Sequence, residues 1–379
     1  MKIVMLCGSL KEGCDGVGDY TRRLAGQIMS EGHTIGIIAL NDQHILKMWL
    51  GEQQSGGYNI PVLRLPSCKQ NFHQFKHAES WLKEFNPDWI SLQYVPFSFN
   101  AKGLPFNFAR ELLKLAPKRQ WHIMFHELWV GMHNGASTKE SLWGQIQRQL
   151  ILSMIRKLQP NLIHTQSSLY KKQLEKMGFE AHLLPLFSNI PVAEKSFESE
   201  DKARGLLQKG RKIYFVIFGG VHKGGPVIQF AEEIKAYSDR AEIPVSLLIV
   251  GRGGSEQKYW EKTWTQLGLE VEIMGELPEL QLSEILSRAD FGITTTVFSK
   301  VEKSGSVAAM KDHGLKIICV AADWKPRGMP QELEIPGVVE YKKGGLDKFF
   351  QADNEPGAFS KVKEVSNLLI AAFGAKKSN

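Results

Sequence analysis

Lys2-Ile3-Val4-Met5-Leu6-Cys7, followed after a short spacer by Gly13-Cys14-Asp15-Gly16-Val17-Gly18-Asp19-Tyr20, decides the fold. An unbroken apolar run this short fits a strand buried on both faces. The glycine-rich turn then opens a helix read over Asp19–Glu31. The same order recurs along the chain. Thr34–Leu40, Trp89–Gln93, Trp121–Phe125 and Leu162–Thr165 read as strands of a first half. In the second half Lys212–Phe218 ends in Gly219-Gly220, Val245–Val250 in Gly251 and Val271–Met274 in Gly275. Phe291–Thr295 and Lys316–Val320 follow, with helices read at Val227–Tyr237, Leu280–Arg288 and Gly305–His313. Apolar strands alternating with helices predict parallel sheets covered on both faces. The class is therefore α/β, with two doubly wound Rossmann-like domains facing across a cleft. Ligands of such sheets bind beyond the C-terminal ends of the strands.

The length of 379 residues agrees with two domains, at ~100–200 residues each. The expected boundaries are 1–190 for the first domain, 191–204 for a linker with the charge run Glu198–Lys202, and 205–355 for the second domain. Residues 356–379 are expected to form a C-terminal helix that packs back toward the first domain. Composition is ordinary for a globular chain, with 43% hydrophobic and 23% charged residues, which excludes disordered and collagenous classes. The charge is uneven. Residues 1–192 carry 21 Lys/Arg against 14 Asp/Glu, and the remainder 26 against 26, so the net +7 lies in the first half. An anionic partner for that half follows: a membrane surface, an acidic acceptor or a nucleic acid. Cys7, Cys14, Cys68 and Cys319 are scattered without a C-x-x-C pair, which argues against zinc and for a reduced compartment. With no signal peptide or ~20-residue apolar run, the expected location is cytoplasmic.

Four loops carry chemistry-bearing residues. Around Gly16 and Gly18 the backbone can approach an anion at a helix start; the alternative is a plain turn with Asp19 as N-cap. The fingerprint G-x-G-x-x-G is not met. His126, with Glu127, follows the Trp121–Phe125 strand and either projects into the cleft or is bonded within the core. Residues 219–225, Gly-Gly-Val-His-Lys-Gly-Gly, surround Lys223 with glycines, as a phosphate cradle or a flexible loop. Glu302-Lys303-Ser304-Gly305-Ser306 places a cation and two hydroxyls at a helix start. That is the most concentrated anion site in the chain, with Ser304 or Ser306 as the N-cap. A further segment, Ser137–Leu158, is a basic amphipathic helix that either touches a membrane surface or packs on the core.

Read together, Gly16–Ala25, Phe125-His126-Glu127, Phe218–Gly224, Ala289–Ile293, Lys303–Ser306 and His313-Gly314-Leu315 resemble the GT-B glycosyltransferases of glycosyltransferase family 4. The resemblance runs through both halves. It implies transfer of a sugar from a nucleotide-sugar donor (a UDP-, GDP- or dTDP-sugar) with retention, and without a metal or other cofactor. It implies donor-phosphate contacts from Gly16, Gly18, Gly220, Lys223, Lys303, Ser304, Gly305 and Ser306, and nucleoside contacts from Gly275, Glu276, Leu277 and Glu302. Asp19, Tyr20, His126 and Glu127 fall on the acceptor or sugar side, and His126, Lys223 and Lys303 take the catalytic roles. The chain departs from the family's paired glutamates: eight residues after Glu302 stands Met310. An arginine expected before Lys223 is also missing. The absence of an Asp-x-Asp motif agrees with metal-independent transfer. The acceptor is expected to be a glycan or lipid-linked sugar in surface polysaccharide or glycoconjugate synthesis. Peripheral contact with an anionic membrane fits the basic half; nucleic acid is not expected. The alternatives are a nucleotide-sugar 2-epimerase or inverting transferase of the same architecture, or a non-catalytic nucleotide-sugar or polyanion binder.

Overall fold

The computed structural model describes residues 1–67, 75–192, 212–328, 334–351 and 362–377. The chain divides into two compact units, Met1–Pro185 with Val362–Asn379, and Leu186–Lys361. Of the expected linker, only Pro191 and Val192 lie among the described residues; the charge run Glu198–Lys202 lies outside them.

The strands of the first unit are β1 (Lys2–Cys7), β2 (Thr34–Asp42), β3 (Trp49–Ser55), β4 (Tyr58–Pro66), β5 (Trp89–Tyr94), β6 (Gln120–Phe125), β7 (Leu162–Thr165) and β8 (His182–Leu183). They form one sheet in the order β3-β4-β2-β1-β5-β6-β7-β8. All neighbours are parallel except β3 and β4. These two form a hairpin across Gly56 and Gly57, both with positive φ, as a tight two-residue turn requires. Its helices are α1 (Gly16–Ser30), α2 (Phe75–Phe85), α3 (Pro96–Phe99), α4 (Phe108–Leu115), α5 (Thr138–Leu158) and α6 (Ser168–Lys176).

Helix α1 starts earlier than the sequence reading placed it. Its N-cap is Asp15, whose carboxylate accepts from the amides of Val17 and Gly18. Asp19 is therefore not the cap. It sits in the first turn, paired with Arg22 and accepting from Gly13 N at 3.2 Å. Helix α5 carries a capping box, Ser137 and Glu140, that fixes its start. One flank of α5 (Ile151, Met154, Ile155 and Leu158) is buried, while Leu142 is 61% exposed. The C-terminal half of the apolar stripe is thus core packing.

The second unit holds β9 (Ile213–Phe218), β10 (Val245–Val250), β11 (Glu270–Gly275), β12 (Phe291–Thr294), β13 (Lys316–Cys319) and β14 (Val338–Glu340). Between them lie α7 (Val227–Ala241), α8 (Ser255–Gln266), α9 (Glu279–Arg288), α10 (Gly305–Asp312) and α11 (Leu346–Gln351). The order β11-β10-β9-β12-β13-β14 is the doubly wound 3-2-1-4-5-6 pattern. Phe215 and Ile217 face a core layer with Phe230, Trp260 and Trp264; Val216, between them in sequence, faces Leu286, Val307 and Met310. A sheet with both faces buried is why these strands are continuously apolar.

Helix α12 (Val362–Lys377) belongs to the first unit. Phe373 stacks on Trp89 at 4.3 Å, and Ser366 donates to Glu31 at 2.7 Å.

Candidate functional site

In the second unit the order of strands reverses between β9 and β12, and the loops after these two strands carry the sequence-predicted cations. Glycines let three strand ends lie side by side. Gly219 N donates to Val250 O at 2.9 Å, and Gly251 N donates to Gly275 O at 2.8 Å. Gly219, Gly251 and Gly275 all have positive φ. A Cβ on Gly251 would meet Gly219 O at 3.1 Å, and one on Gly219 would meet the Ser306 side chain at 3.4 Å. The ends of β11, β10 and β9 and the start of α10 therefore form one edge.

The loop after β9 crosses this edge. His222 N donates to Thr295 Oγ1 at 2.9 Å, at the end of β12. A Cβ on Gly225 would lie 2.5 Å from Val320 O, beyond β13. Only glycine lets the loop lie so low across the strand ends. Lys223 rises from its middle, 79% exposed, with Glu256 at 3.9 Å as its ion-pair partner.

Ser304 is the N-cap of α10, accepting from Val307 N at 3.4 Å, and its hydroxyl lies 3.0 Å from that of Ser306. Ser304, not Ser306, is therefore the cap. Lys303 ends the 3-10 turn Phe298–Lys303 that leads into it. Glycines, hydroxyls and helix amides meet here with Lys223 and Lys303 on adjoining loops, an arrangement suited to an anion. Gly220 has open space where a Cβ would stand, and so does Gly305.

Glu276, just after β11, is held by Arg252 in an exposed ion pair, while Leu277 packs on the core. Arg252 escaped the sequence reading, although it follows a strand-ending glycine like the others. Met310 is fully buried, with its sulfur 2.5 Å from where a Cβ on Gly292 would stand. The position eight residues after Glu302 thus points into the sheet, not toward the edge. Burial pushes the Lys311 ammonium pKa down, with Glu302 opposing that shift. Among the described residues no group of three or more His, Cys, Asp or Glu could hold a metal.

In the first unit, His126 follows β6 at the C-terminal edge of the sheet. It is only 5% exposed, so the structure places it within the packed edge. Its Nε2 lies 2.9 Å from Gln93 Oε1, and its backbone N donates to Tyr94 O at 3.0 Å. Tyr20 is also buried and meets the His126 ring edge-on at 4.9 Å. Burial raises the Tyr20 hydroxyl pKa. Tyr20 therefore supports His126 and presents little surface of its own. Glu127 is half-buried beside it. Gly18 is packed, since a Cβ there would lie 2.5 Å from Ser9 O, whereas Gly16 faces open space. The α1 amides of Val17 and Gly18 already bond the Asp15 carboxylate. An anion approaching this helix start meets a carboxylate first.

Solved structures share this architecture. Anabaena HepE, crystallised with UDP and glucose, superposes with a TM-score of 0.55 at 14% identity, over 100% of this chain and 98% of its own. The catalytic domain of starch synthase IV from Arabidopsis thaliana, bound to ADP and acarbose, gives 0.53 at 14%, over 100% of both chains. The UDP-GlcNAc 2-epimerase of Neisseria meningitidis, bound to UDP-GlcNAc, gives 0.54 at 10%, over 99% of this chain and 100% of its own. The fold is GT-B, two Rossmann-like domains in one chain. No protein-family model matches the chain, and no curated protein matches it.

Proposed function

We propose that the chain is a nucleotide-sugar-dependent glycosyltransferase of family 4. One observation carries the reading: the edge formed by Gly275, Gly251, Gly219 and Ser306, at the switch point of a doubly wound sheet, beside Lys223 and Lys303. On this reading the donor diphosphate lies against that edge, with Gly275, Glu276, Leu277 and Glu302 on its nucleoside side. The bond between the sugar C1 and the diphosphate oxygen breaks, and the acceptor oxygen bonds to C1. The acceptor proton passes to a departing phosphate oxygen. Charge grows on the diphosphate, and Lys223, Lys303 and the amides at Ser304–Ser306 stabilise it. That leaves little work for a general acid and none for a metal. His126, with Asp19 and Glu127, serves the sugar and acceptor side.

The acceptor follows from charge. The first unit carries 24 Lys/Arg against 15 Asp/Glu, a net of +9. Phe97, Phe106 and Leu142 are exposed, and the Trp143 indole donates to Lys102 O at 2.8 Å. Basic residues beside exposed apolar ones suit a glycan or lipid-linked acceptor at an anionic membrane surface. Among the described residues no helix is long and apolar enough to cross a membrane.

The test is incubation with UDP-, GDP- and dTDP-sugars and a panel of glycan and lipid-linked acceptors, with product stereochemistry followed by NMR. Retained configuration in the wild type and strongly reduced transfer in Lys303→Ala are expected. Unchanged transfer kinetics and nucleotide affinity in Lys303→Ala would remove that lysine from the site. Conversion of UDP-GlcNAc to its C2 epimer without an acceptor would replace the transferase reading by the epimerase one. Binding without turnover of any donor would leave a non-catalytic binder.

A further inference from the structure

Strand β5, Trp89-Ile90-Ser91-Leu92-Gln93-Tyr94, is buried at every position. Ser91 and Gln93 are polar residues in that strand, so each needs a partner. Ser91 registers with His122 on β6, Met124 with His164 on β7, and His164 with His182 on β8. Parallel register and alternation put these side chains on one face of the sheet. Ser91, Gln93, His122, His126 and His164 are each no more than 5% exposed.

Their hydrogen bonds form one line. His126 Nε2 lies 2.9 Å from Gln93 Oε1, and Gln93 Nε2 donates to Ser91 Oγ at 2.8 Å. Ser91 Oγ lies 2.8 Å from His122 Nδ1, and His122 Nε2 lies 3.0 Å from His164 Nδ1. The line ends near the half-exposed His182, whose ring centroid is 5.8 Å from that of His164. Phe373 of α12 packs edge-on against His122 at 5.3 Å.

Burial pushes the pKa of His122 well down, and burial with the nearby His182 brings His164 to about 4. Both rings are therefore neutral at pH 7, each with one donor nitrogen and one acceptor nitrogen. With the Gln93 amide nitrogen on Ser91, the direction of every bond follows. Gln93 gives its amide hydrogen to Ser91, and the Ser91 hydroxyl then donates to His122 Nδ1, since otherwise it is a buried donor without an acceptor. His122 carries its proton on Nε2 and donates to His164. At the other end Gln93 Oε1 accepts, so His126 carries its proton on Nε2. The reverse polarity requires the amide to turn over and moves the His126 proton to Nδ1. Any mixture of the two leaves a buried polar group unpaired.

We propose that Gln93, Ser91, His122 and His164 are positioning residues for His126, a buried relay that sets which of its ring nitrogens carries the proton. Its catalytic meaning rests on His126 serving the donor sugar, as read above; the relay itself does not. The experiment is long-range 1H–15N correlation NMR on protein labelled with 15N-histidine, near pH 7. The His126 signals are identified by their loss in His126→Gln. In the wild type, His126, His122 and His164 should each show the pure Nε2–H pattern. Ser91→Ala, confirmed folded by circular dichroism, should draw the two His126 nitrogen shifts toward each other. Gln93→Glu should instead hold His126 as imidazolium, raising its pKa by about one unit or more. The wild-type spectrum alone overturns the proposal if His126 shows the Nδ1–H pattern or a mixture, and so do unchanged His126 shifts in both variants. Where the wild type turns over a donor, Ser91→Ala should lower kcat ~2- to 10-fold with the donor KM unchanged, the value of one misoriented hydrogen bond from His126 to the reacting sugar. A wild type without turnover refutes the transferase reading and leaves the spectral test standing.

Discussion

Replacing Lys223 by alanine separates its role in the folded chain from its role toward a ligand. In the folded chain the ammonium is 79% exposed, and Glu256 stands 3.9 Å away. An exposed pair of this kind contributes ~0–1 kcal/mol, so unfolding by urea should change by less than that. Against a diphosphate the same group donates charge-assisted hydrogen bonds worth ~1.5–3 kcal/mol. The dissociation constant for the cognate nucleoside diphosphate should therefore rise ~10- to 150-fold. Glu256→Gln acts in the opposite direction. It removes the carboxylate that competes for Lys223 and should tighten binding ~2- to 5-fold, the value of the exposed pair. The assay is isothermal titration of UDP, GDP and dTDP into wild type and both variants at fixed ionic strength. Lys223→Ala within twofold of the wild type, or weaker binding by Glu256→Gln, would refute the placement of the diphosphate beside this loop.

Stability should fall on the acid side through the buried histidines. Their folded pKa values are lowered, so their contribution is complete above ~6.5, the unfolded value, and is lost as pH falls toward about 4 for His164. His164→Phe should reduce the loss of stability between pH 7 and pH 4.5 by roughly 2–3 kcal/mol in urea titrations; an unchanged pH slope would contradict the buried neutral ring. Met310→Glu places a glutamate eight residues after Glu302, the spacing of glycosyltransferase family 4, in sequence only. It buries a carboxylate against Gly292 and should cost at least ~3 kcal/mol of stability without tightening nucleotide binding, measured by denaturation and titration. Gly225→Ala places a Cβ 2.5 Å from Val320 O and should cost ~1–3 kcal/mol while lifting the loop and weakening nucleotide binding. The same change at Gly220, which has open space around it, should leave stability unchanged in the same titration.

The parallel strands were legible because burial on both faces makes them continuously apolar, as at Val245–Val250. The β3–β4 hairpin was not. Strand β3, Trp49-Leu-Gly-Glu-Gln-Gln-Ser55, lies at the sheet edge and buries little, so it lacks that signature. The start of α1 was misplaced because Asp15 and Asp19 are both plausible caps, and only geometry shows which carboxylate reaches the helix amides. The edge of the second unit was legible from glycines following strands, each of which lets backbone come close. What it could not reveal was Arg252 on Glu276, a contact between two separate loops. The histidine relay left a faint trace, Ser91 and Gln93 inside an otherwise apolar run. Their partners lie 31 and 33 residues away on the next strand and its end, and strand register alone brings them together.

On the proposed function, the glycine-lined edge of the second unit holds the diphosphate of a nucleotide-sugar. Thermal unfolding of the wild type across nucleoside diphosphates and nucleotide-sugars tests it most directly. A cognate ligand at ~100 times its dissociation constant should add ~2.7 kcal/mol of stability, and Lys303→Ala should shrink that gain. A panel in which no nucleotide or nucleotide-sugar shifts the transition would contradict it.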